Sequence, residues 1–476
     1  MLLAEVTGVD APPVEIAALA YDARAVTPGT LFFCVRGFTR DGHDFAPDAV
    51  ARGAAALVVD HPLGLGVPEV VVPDVRAAMA PAAARLAGDP TARLVTAGIT
   101  GTSGKTTTAY LLRSLLEAGG RQTGLLGTVA AVVGGVVQPA VRTTPEAIDL
   151  QRAFAEMLAA GDEAVVMEVS SHALALHRAD AIHWSVAVFT NLTPEHLDFH
   201  ADMEDYFAAK RRLFDAEPAA AVINVDDAYG ARLGREHPDA LRIGLDSPEA
   251  QLRAEVLELT PAGSRLRVDG LELRTALPGR FNVLNALGAV AAARLLGVDD
   301  AAIAAALPHA ARVPGRLEAV DEGQPFALFV DYAHKPDALD AVLRTARAMA
   351  EGRVLVVVGA GGDRDRAKRP LMGRVAAERA DHAILTSDNP RSEDPEAILA
   401  QIAAGASGHD HVEIVVDRRE AIGRAVAAAR PGDVVVIAGK GHEAYQELAE
   451  GVTVPFDDVA VAREALAGRA TARAAT

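Results

Sequence analysis

From Thr100 to Thr107 the chain reads Thr-Gly-Thr-Ser-Gly-Lys-Thr-Thr. An apolar strand over 94–100 runs into this turn, and a helical stretch over 109–117 follows it. That order makes a phosphate cradle from Gly101, Thr102, Ser103 and Gly104. The two glycines let the backbone curl so that its N–H groups point at an anion, and the helix N-terminus adds a favourable dipole. Lys105 can reach terminal phosphates and the Thr106 hydroxyl can ligate Mg²⁺, with Thr107 completing the ATP-binding run. Ile99 stands where the strict Walker pattern has its first glycine. The strand–turn–helix context predicts nucleotide binding, with ATP as co-substrate and Mg²⁺ as cofactor.

Other polar residues fall directly after apolar strands, where ligands collect in open parallel sheets. Glu168 ends 164–168. Asn191, His196 and Asp198 follow 186–190. Asp331 and His334 follow 328–330, and residues 361–365 follow 354–358. Residues 387–391 follow 384–386, and Lys440 and His442 follow 434–438. So many polar strand ends in one chain predict a multi-part active site. Glu168 could pair with a surface arginine, but an ionised carboxylate behind four apolar residues calls for a cation. A Mg²⁺ ion that keeps several waters meets that need. His196 reads equally well as a helix-capping or core histidine. Lys210, on the amphipathic stretch 205–214, reads as solvent-facing by itself, and Arg178 as a surface residue. The loop Asp388-Asn389-Pro390-Arg391 reads either as an Asx-type turn with an exposed arginine or, with Arg364, as a two-arginine clamp for a carboxylate.

The elements that must position these residues are an α/β set. The chain has 476 residues, half of them apolar and 23% charged, with a formal net charge of −18. About three domains of ~150 residues are expected. The negative charge weighs against nucleic acid and anionic membranes as partners. The single Cys34 excludes an internal disulfide and reads as a buried thiol. No leader segment or long uncharged apolar run is seen, so a cytoplasmic protein without stable membrane insertion is expected. Residues 1–90 read as a small N-terminal α/β domain. Residues 91–312 open with the phosphate loop and carry a mainly parallel sheet, with a small antiparallel patch over 252–277 and a helix over 281–296. Residues 313–315 read as a hinge. Residues 313–476 alternate short apolar strands with helices, as in a doubly wound, Rossmann-like domain. The tail 465–476 is expected to fray.

The ordered motifs resemble those of the Mur ligase family, and within it the diaminopimelate-adding members. They are Thr100–Thr107, Thr143-Thr144-Pro145, 168–174, 190–198, 279–285, 313–316, 331–334, 361–365, 388–391 and 439–443. They span nearly the whole chain in family order. The resemblance implies a UDP-sugar-binding domain, an ATPase domain and an amino-acid-binding domain. It implies an ATP-dependent ligase of peptidoglycan precursor synthesis, acting on the UDP-N-acetylmuramoyl dipeptide through an acyl phosphate. A monomer is expected. Thr143, Thr144, Ser170 and Arg178 match positions that hold the UDP-sugar peptide. Ala23 matches a position that is commonly a uridine-contacting serine. Lys105, Glu168, His196 and Lys210 match catalytic positions. Glu168, His196 and Lys210 match metal ligands, Lys210 as a carbamate, which reverses its bland reading. Asn282 and Asn285 match the adenine-contacting segment, and Arg316 and Asp331 match further ATP-side residues. Arg364, Asp388, Asn389, Pro390, Arg391, Gly439 and Glu443 match the diaminopimelate pocket.

Diaminopimelate carries a second amino-carboxylate end that lysine lacks. Arg391 can pair with that carboxylate and Glu443 with its ammonium, so lysine would leave Arg391 unpaired. Lys335, Ala360 and Ala367 also depart from common family residues without touching the expected chemistry. Three competing readings remain. Arg391 weighs against a lysine-adding ligase, and the N-terminal domain against a folate-type ligase. Glu168, Lys210 and the 388–391 loop weigh against a P-loop switch without ligase activity. Closure at 313–315 is expected to gate turnover.

Overall fold

The computed structural model describes residues 1–474. It forms two compact units, Met1–Ile243 with Gly288–Ile303, and Gly244–Leu287 with Ala304–Thr476. The sequence segment 313–315 lies inside the second unit, where Gly315 packs on backbone. A Cβ there would stand 2.1 Å from the His442 nitrogen.

In the first unit, four short parallel strands form the N-terminal sheet, in the order Ala18–Ala20, Thr30–Phe33, Ala54–Val59 and Glu69–Val71. Cys34 is buried beside this sheet, and burial pushes its thiol pKa up to about 12. The following sheet is built around Val95–Thr100. That strand pairs in parallel with Ala164–Glu168 on one side and Val186–Phe189 on the other. Thr123–Leu126 and Ala221–Asn224 extend the two sides in parallel. Only the hairpin strands Ala130–Val133 and Val136–Pro139 run antiparallel beyond Thr123–Leu126. Both faces of the central strands are covered, so Ala164–Glu168 and Val186–Phe189 are buried throughout without alternation. The register sets Ile99 opposite Glu168 and Thr100 opposite Phe189, so the phosphate loop, Glu168 and Thr190 emerge side by side.

The second unit contains the expected antiparallel patch, Leu252–Thr260, Gly263–Val268 and Leu271–Thr275. Its main sheet has the order Glu318–Ala319, Ala327–Asp331, Val434–Ala438, Val354–Val358, His382–Leu385 and Val412–Ile414. Only the first of these strands is antiparallel to its neighbour. The continuous run Val354–Val358 divides by parity, as a strand covered on both faces must. Val354, Val356 and Val358 enter a core with Leu339, Leu343, Met372 and Leu399. Leu355 and Val357 enter the opposite core with Ile422, Val426 and Val461. The sheet is therefore doubly wound. Asp331 pairs with Ala438, Ala438 with Val358, and Val358 with Leu385, which brings four strand ends level.

The tail is corrected by the structure. Asp458–Ala474 is a helix, and residues 475–476 of the expected frayed segment lie outside the described residues. Its packed face carries Val461, Ala462 and, within the segment expected to fray, Leu466, which bury against the sheet. Asp458, at the start of this helix, accepts from Arg418 Nε at 2.8 Å and Nη2 at 2.7 Å, and both side chains are fully buried. Arg418 Nη2 also donates to the Ala438 carbonyl at 3.0 Å, tying the helix to the strand end. Asp458→Ala strands a buried guanidinium. It is expected to cost about 3–5 kcal/mol, read as a lower denaturant midpoint for the second unit. Joint replacement of Arg418 and Asp458 by methionine and leucine is expected to recover most of that loss.

Candidate active site

The phosphate loop connects Val95–Thr100 to the helix Lys105–Ala118. Gly101 has φ +146°, and a Cβ there would stand 1.9 Å from the Thr190 hydroxyl. Gly104 caps the helix at φ +85°. The strand end after Val186–Phe189 holds the loop in shape. Ser103 N–H donates to Asn191 Oδ1 at 2.9 Å, and the Thr190 hydroxyl donates to the Ser103 carbonyl at 2.7 Å. Lys105 Nζ donates to the carbonyls of Gly101 and Thr102, both at 2.9 Å. Gly101→Ala is expected to abolish ATP binding by pushing the loop off Thr190. Nucleotide titration by calorimetry checks this, with circular dichroism confirming that the chain still folds.

Lys210 corrects its solvent-facing reading. It is 1% exposed, its Nζ donates to the Gly101 carbonyl at 2.9 Å, and it lies 4.6 Å over the Tyr206 ring. Tyr206, Phe207, Lys210, Leu213 and Phe214 share the buried face of the helix Met203–Asp215, so the helix carries its lysine into the core. The Tyr206 hydroxyl lies 3.1 Å from the Thr102 hydroxyl, and burial raises its pKa.

Glu168 is 1% exposed and forms the other side of the cluster. It accepts from the Thr106 hydroxyl at 3.0 Å, from Thr128 N–H at 2.8 Å and from the Thr128 hydroxyl at 3.1 Å. Thr106 and Glu168 thus present converging oxygens on two adjacent elements. Hard oxygen donors beside a phosphate loop suit Mg²⁺. His196 has a left-handed backbone with φ +57°. Its ring packs edge-on to His172 with centroids 4.7 Å apart, and lies 6.1 Å from Tyr206. Its ring therefore joins an aromatic cluster with His172 and Tyr206.

The four residues matched to UDP-sugar-peptide binding adjoin Glu168. The Thr144 hydroxyl donates to the Glu168 carbonyl at 2.8 Å and accepts from Ser170 N–H at 3.1 Å. The Thr143 hydroxyl lies 3.1 Å from that of Thr128. Arg178 is not a surface residue. Its Nη1 donates to the Thr144 carbonyl at 3.4 Å, and its Nη2 lies 2.9 Å from Glu146. Desolvation pulls its pKa below the usual guanidinium value. Ala23 stands apart from this network, packed in the N-terminal apolar cluster with Phe32 and Cys34. The sequence reading missed Thr128, Tyr206 and Glu146. Glu146 is buried among Arg76, Arg142 and Arg178, and its position directly after Thr143-Thr144-Pro145 was the available signal.

In the second unit, Asn282 and Asn285 are buried on the helix Arg280–Leu295. Asn285 Nδ2 donates to Asn282 Oδ1 at 3.1 Å, and Asn282 Nδ2 donates to the Pro278 carbonyl at 2.8 Å. Arg316 stacks over Tyr332 at 4.6 Å, and its buried Nε has no hydrogen-bond partner among the described residues. Asp331 accepts from the backbone N–H groups of Leu317 at 2.7 Å and Ala333 at 2.8 Å, and burial raises its pKa.

The level strand ends gather a second cluster. Asn389 Nδ2 donates to Glu443 Oε2 at 2.7 Å, while Lys440 Nζ donates to Asn389 Oδ1 at 2.9 Å and lies 3.3 Å from Glu443. Gly439 has φ +119°, and a Cβ there would stand 2.6 Å from Asp388 Oδ2. Arg391 is not an exposed turn residue. Its Nε donates to Glu447 at 2.7 Å and its Nη1 to the Gly362 carbonyl at 2.8 Å. Pro390 accompanies it, and Gly362 lies close against the Pro390 carbonyl. Arg364 is exposed. It and Arg391 flank Gly361. The Arg391–Glu447 pair was not foreseen, because Glu447 belongs to a separate hairpin, Tyr445–Glu447 with Thr453–Pro455.

A phosphate loop with an acidic neighbour in a mainly parallel sheet, carried with a doubly wound unit, defines a P-loop nucleotide-dependent enzyme class. The family models agree on its particular kind. The Mur ligase family catalytic-domain model matches residues 15–87, the Mur ligase middle domain 99–293, and the Mur ligase glutamate ligase domain 315–441. The chain belongs to the Mur ligase family of ATP-dependent ligases. It is 48% identical to the UDP-N-acetylmuramoyl-L-alanyl-D-glutamate–2,6-diaminopimelate ligase of Geobacillus thermodenitrificans, over 96% of each chain. It is also 48% identical to the enzyme of the same name from Streptomyces coelicolor, over 98% of this chain and 95% of that one. A solved structure bearing that enzyme name has 33% identity and a TM-score of 0.72, covering 98% of this chain and 99% of its own. No helix among the described residues is long and apolar enough to cross a membrane.

Proposed function

We propose that this chain joins 2,6-diaminopimelate to UDP-N-acetylmuramoyl-L-alanyl-D-glutamate at the expense of ATP, in peptidoglycan precursor synthesis. The observation that carries the reading is the charge pairing at the second-unit strand ends. A guanidinium, Arg391 of the 388–391 loop, tied to the Gly362 carbonyl, and a carboxylate, Glu443, held by Asn389, match the amino-carboxylate end that distinguishes diaminopimelate. The names of relatives that match the chain along nearly its whole length support the same reading.

In this reading the substrate carboxylate attacks the γ-phosphorus of ATP and ADP leaves. The diaminopimelate amine then attacks the acyl carbon, and phosphate leaves as the amide forms. Lys105 and the loop N–H groups orient the phosphates and offset their charge. Thr106 and Glu168 would hold Mg²⁺, which supplies further neutralisation of the phosphate oxygens when bound. His196 and a carbamate on Lys210 complete the proposed metal-side set. A carbamate turns the buried cation beside Gly101 into an anion. Thr143, Thr144, Ser170 and Arg178 hold the muramoyl peptide, with Ala23 on the uridine side. Asn282, Asn285, Arg316 and Asp331 serve ATP. Arg364, Asp388, Asn389, Pro390, Arg391, Gly439 and Glu443 serve diaminopimelate. The functional division falls at 1–90, 91–312 and 313–476, and the enzyme works as a cytoplasmic monomer.

Phosphate release from ATP and Mg²⁺ with the UDP-muramoyl dipeptide tests the reaction, with diaminopimelate or lysine added separately. Release with diaminopimelate alone is expected. Release with lysine would replace the substrate assignment, and release with neither would overturn the ligase reading.

A further inference from the structure

We propose that Glu447 is a positioning residue that aims Arg391 and thereby sets the preference for diaminopimelate over lysine; this rests on the proposed reaction. Arg391 has a left-handed backbone, φ +51°. A non-glycine residue holds that conformation only where its surroundings over-determine it. Here the hairpin strand Tyr445–Glu447 supplies the restraint. Arg391 N–H donates to the Glu447 carbonyl at 3.1 Å, and Glu447 N–H donates to Asn389 Oδ1 at 3.0 Å. Gln446 Nε2 donates to the Asp388 carbonyl at 2.6 Å. The hairpin thus grips three consecutive non-proline positions of the loop, Asp388, Asn389 and Arg391.

The side chains add direction to this grip. Glu447 accepts from Arg391 Nε and the Gly362 carbonyl accepts from Nη1, which fixes the guanidinium plane at both ends. Nη2 has no acceptor among the described residues, and the side chain is 19% exposed. The remaining N–H groups are therefore pre-aimed for a substrate carboxylate, and recognition needs no rotamer search. The pair also changes the selectivity argument drawn from the sequence. With lysine bound, Arg391 keeps Glu447 as counter-ion and is not left unpaired. Discrimination then depends on how well the aimed edge meets the extra carboxylate.

The test compares Glu447→Ala and Glu447→Gln with the unmodified enzyme by steady-state kinetics for all three substrates. Alanine removes the acceptor on Nε. It is expected to raise the KM for diaminopimelate about ten- to hundredfold, to leave the KM values for ATP and the UDP-precursor unchanged, and to narrow the preference over lysine. Glutamine keeps an acceptor oxygen without the charge and is expected to restore most of the aim. An unchanged diaminopimelate KM in Glu447→Ala, an equal rise for all three substrates, or a glutamine variant no better than alanine would each overturn this role alone. Absence of diaminopimelate-dependent turnover in the unmodified enzyme would overturn the proposed reaction and this role with it.

Discussion

Lys105→Ala is expected to lower ATP-dependent phosphate release by at least about 10²–10³-fold. In the structure Lys105 Nζ sits on the carbonyls of Gly101 and Thr102, inside the curl of the loop. There it can exchange loop carbonyls for phosphate oxygens without moving the helix that carries it. Phosphoryl transfer depends almost wholly on positioning and charge neutralisation, so losing this cation removes stabilisation that water cannot replace. The effect should fall on kcat. Binding of the UDP-muramoyl dipeptide, measured by calorimetry without ATP, should be unchanged, because Thr144, Ser170 and Arg178 hang on the Glu168 strand end and on Glu146. Chelating Mg²⁺ should abolish release in the unmodified enzyme, and added Mg²⁺ should restore it.

Arg391→Ala is expected to reduce kcat/KM for diaminopimelate by about 10²-fold or more, with little change for lysine. The guanidinium is held at Nε and Nη1, and its Nη2 has no acceptor among the described residues. Alanine removes that recognition and leaves Glu447 without its partner. Arg391→Lys should recover only a small part of the loss. An ammonium cannot reproduce the planar fork, and it would turn toward Glu447 as a point charge. Parallel assays with the two amino acids measure the ratio directly. A ratio unchanged from the unmodified enzyme would remove Arg391 from the specificity site.

Much of the fold was legible because apolar runs and turn residues are local signals. The strands Ala164–Glu168, Val354–Val358 and Val434–Ala438 have the bounds their apolar runs indicated. The phosphate loop was legible for the same reason, since glycines, lysine and threonine must be contiguous to form it. Lys210 shows where local reading stops. By residue type it belongs on a wet face, yet Tyr206, Leu213 and Phe214 at helical spacing around it mark that face as the buried one. The tail 465–476 was expected to fray from its composition, yet the helix runs to Ala474 and Leu466 finds a sheet face to cover.

The sequence by itself determined the element types, the doubly wound pattern and the residue identities at the strand ends, because these follow from periodicity and from chemistry carried within a few residues. Tertiary structure decided which strand ends meet. Parallel register set Thr100 beside Phe189 and Ile99 beside Glu168, and it levelled Asp331, Val358, Leu385 and Ala438. It also decided the partners that no spacing announces: Lys210 against Gly101, Glu146 among three arginines, and Glu447 on Arg391. Those contacts join residues far apart in the chain. Their energies depend on burial and on the alignment of two separate elements, which exist only once the sheets have formed.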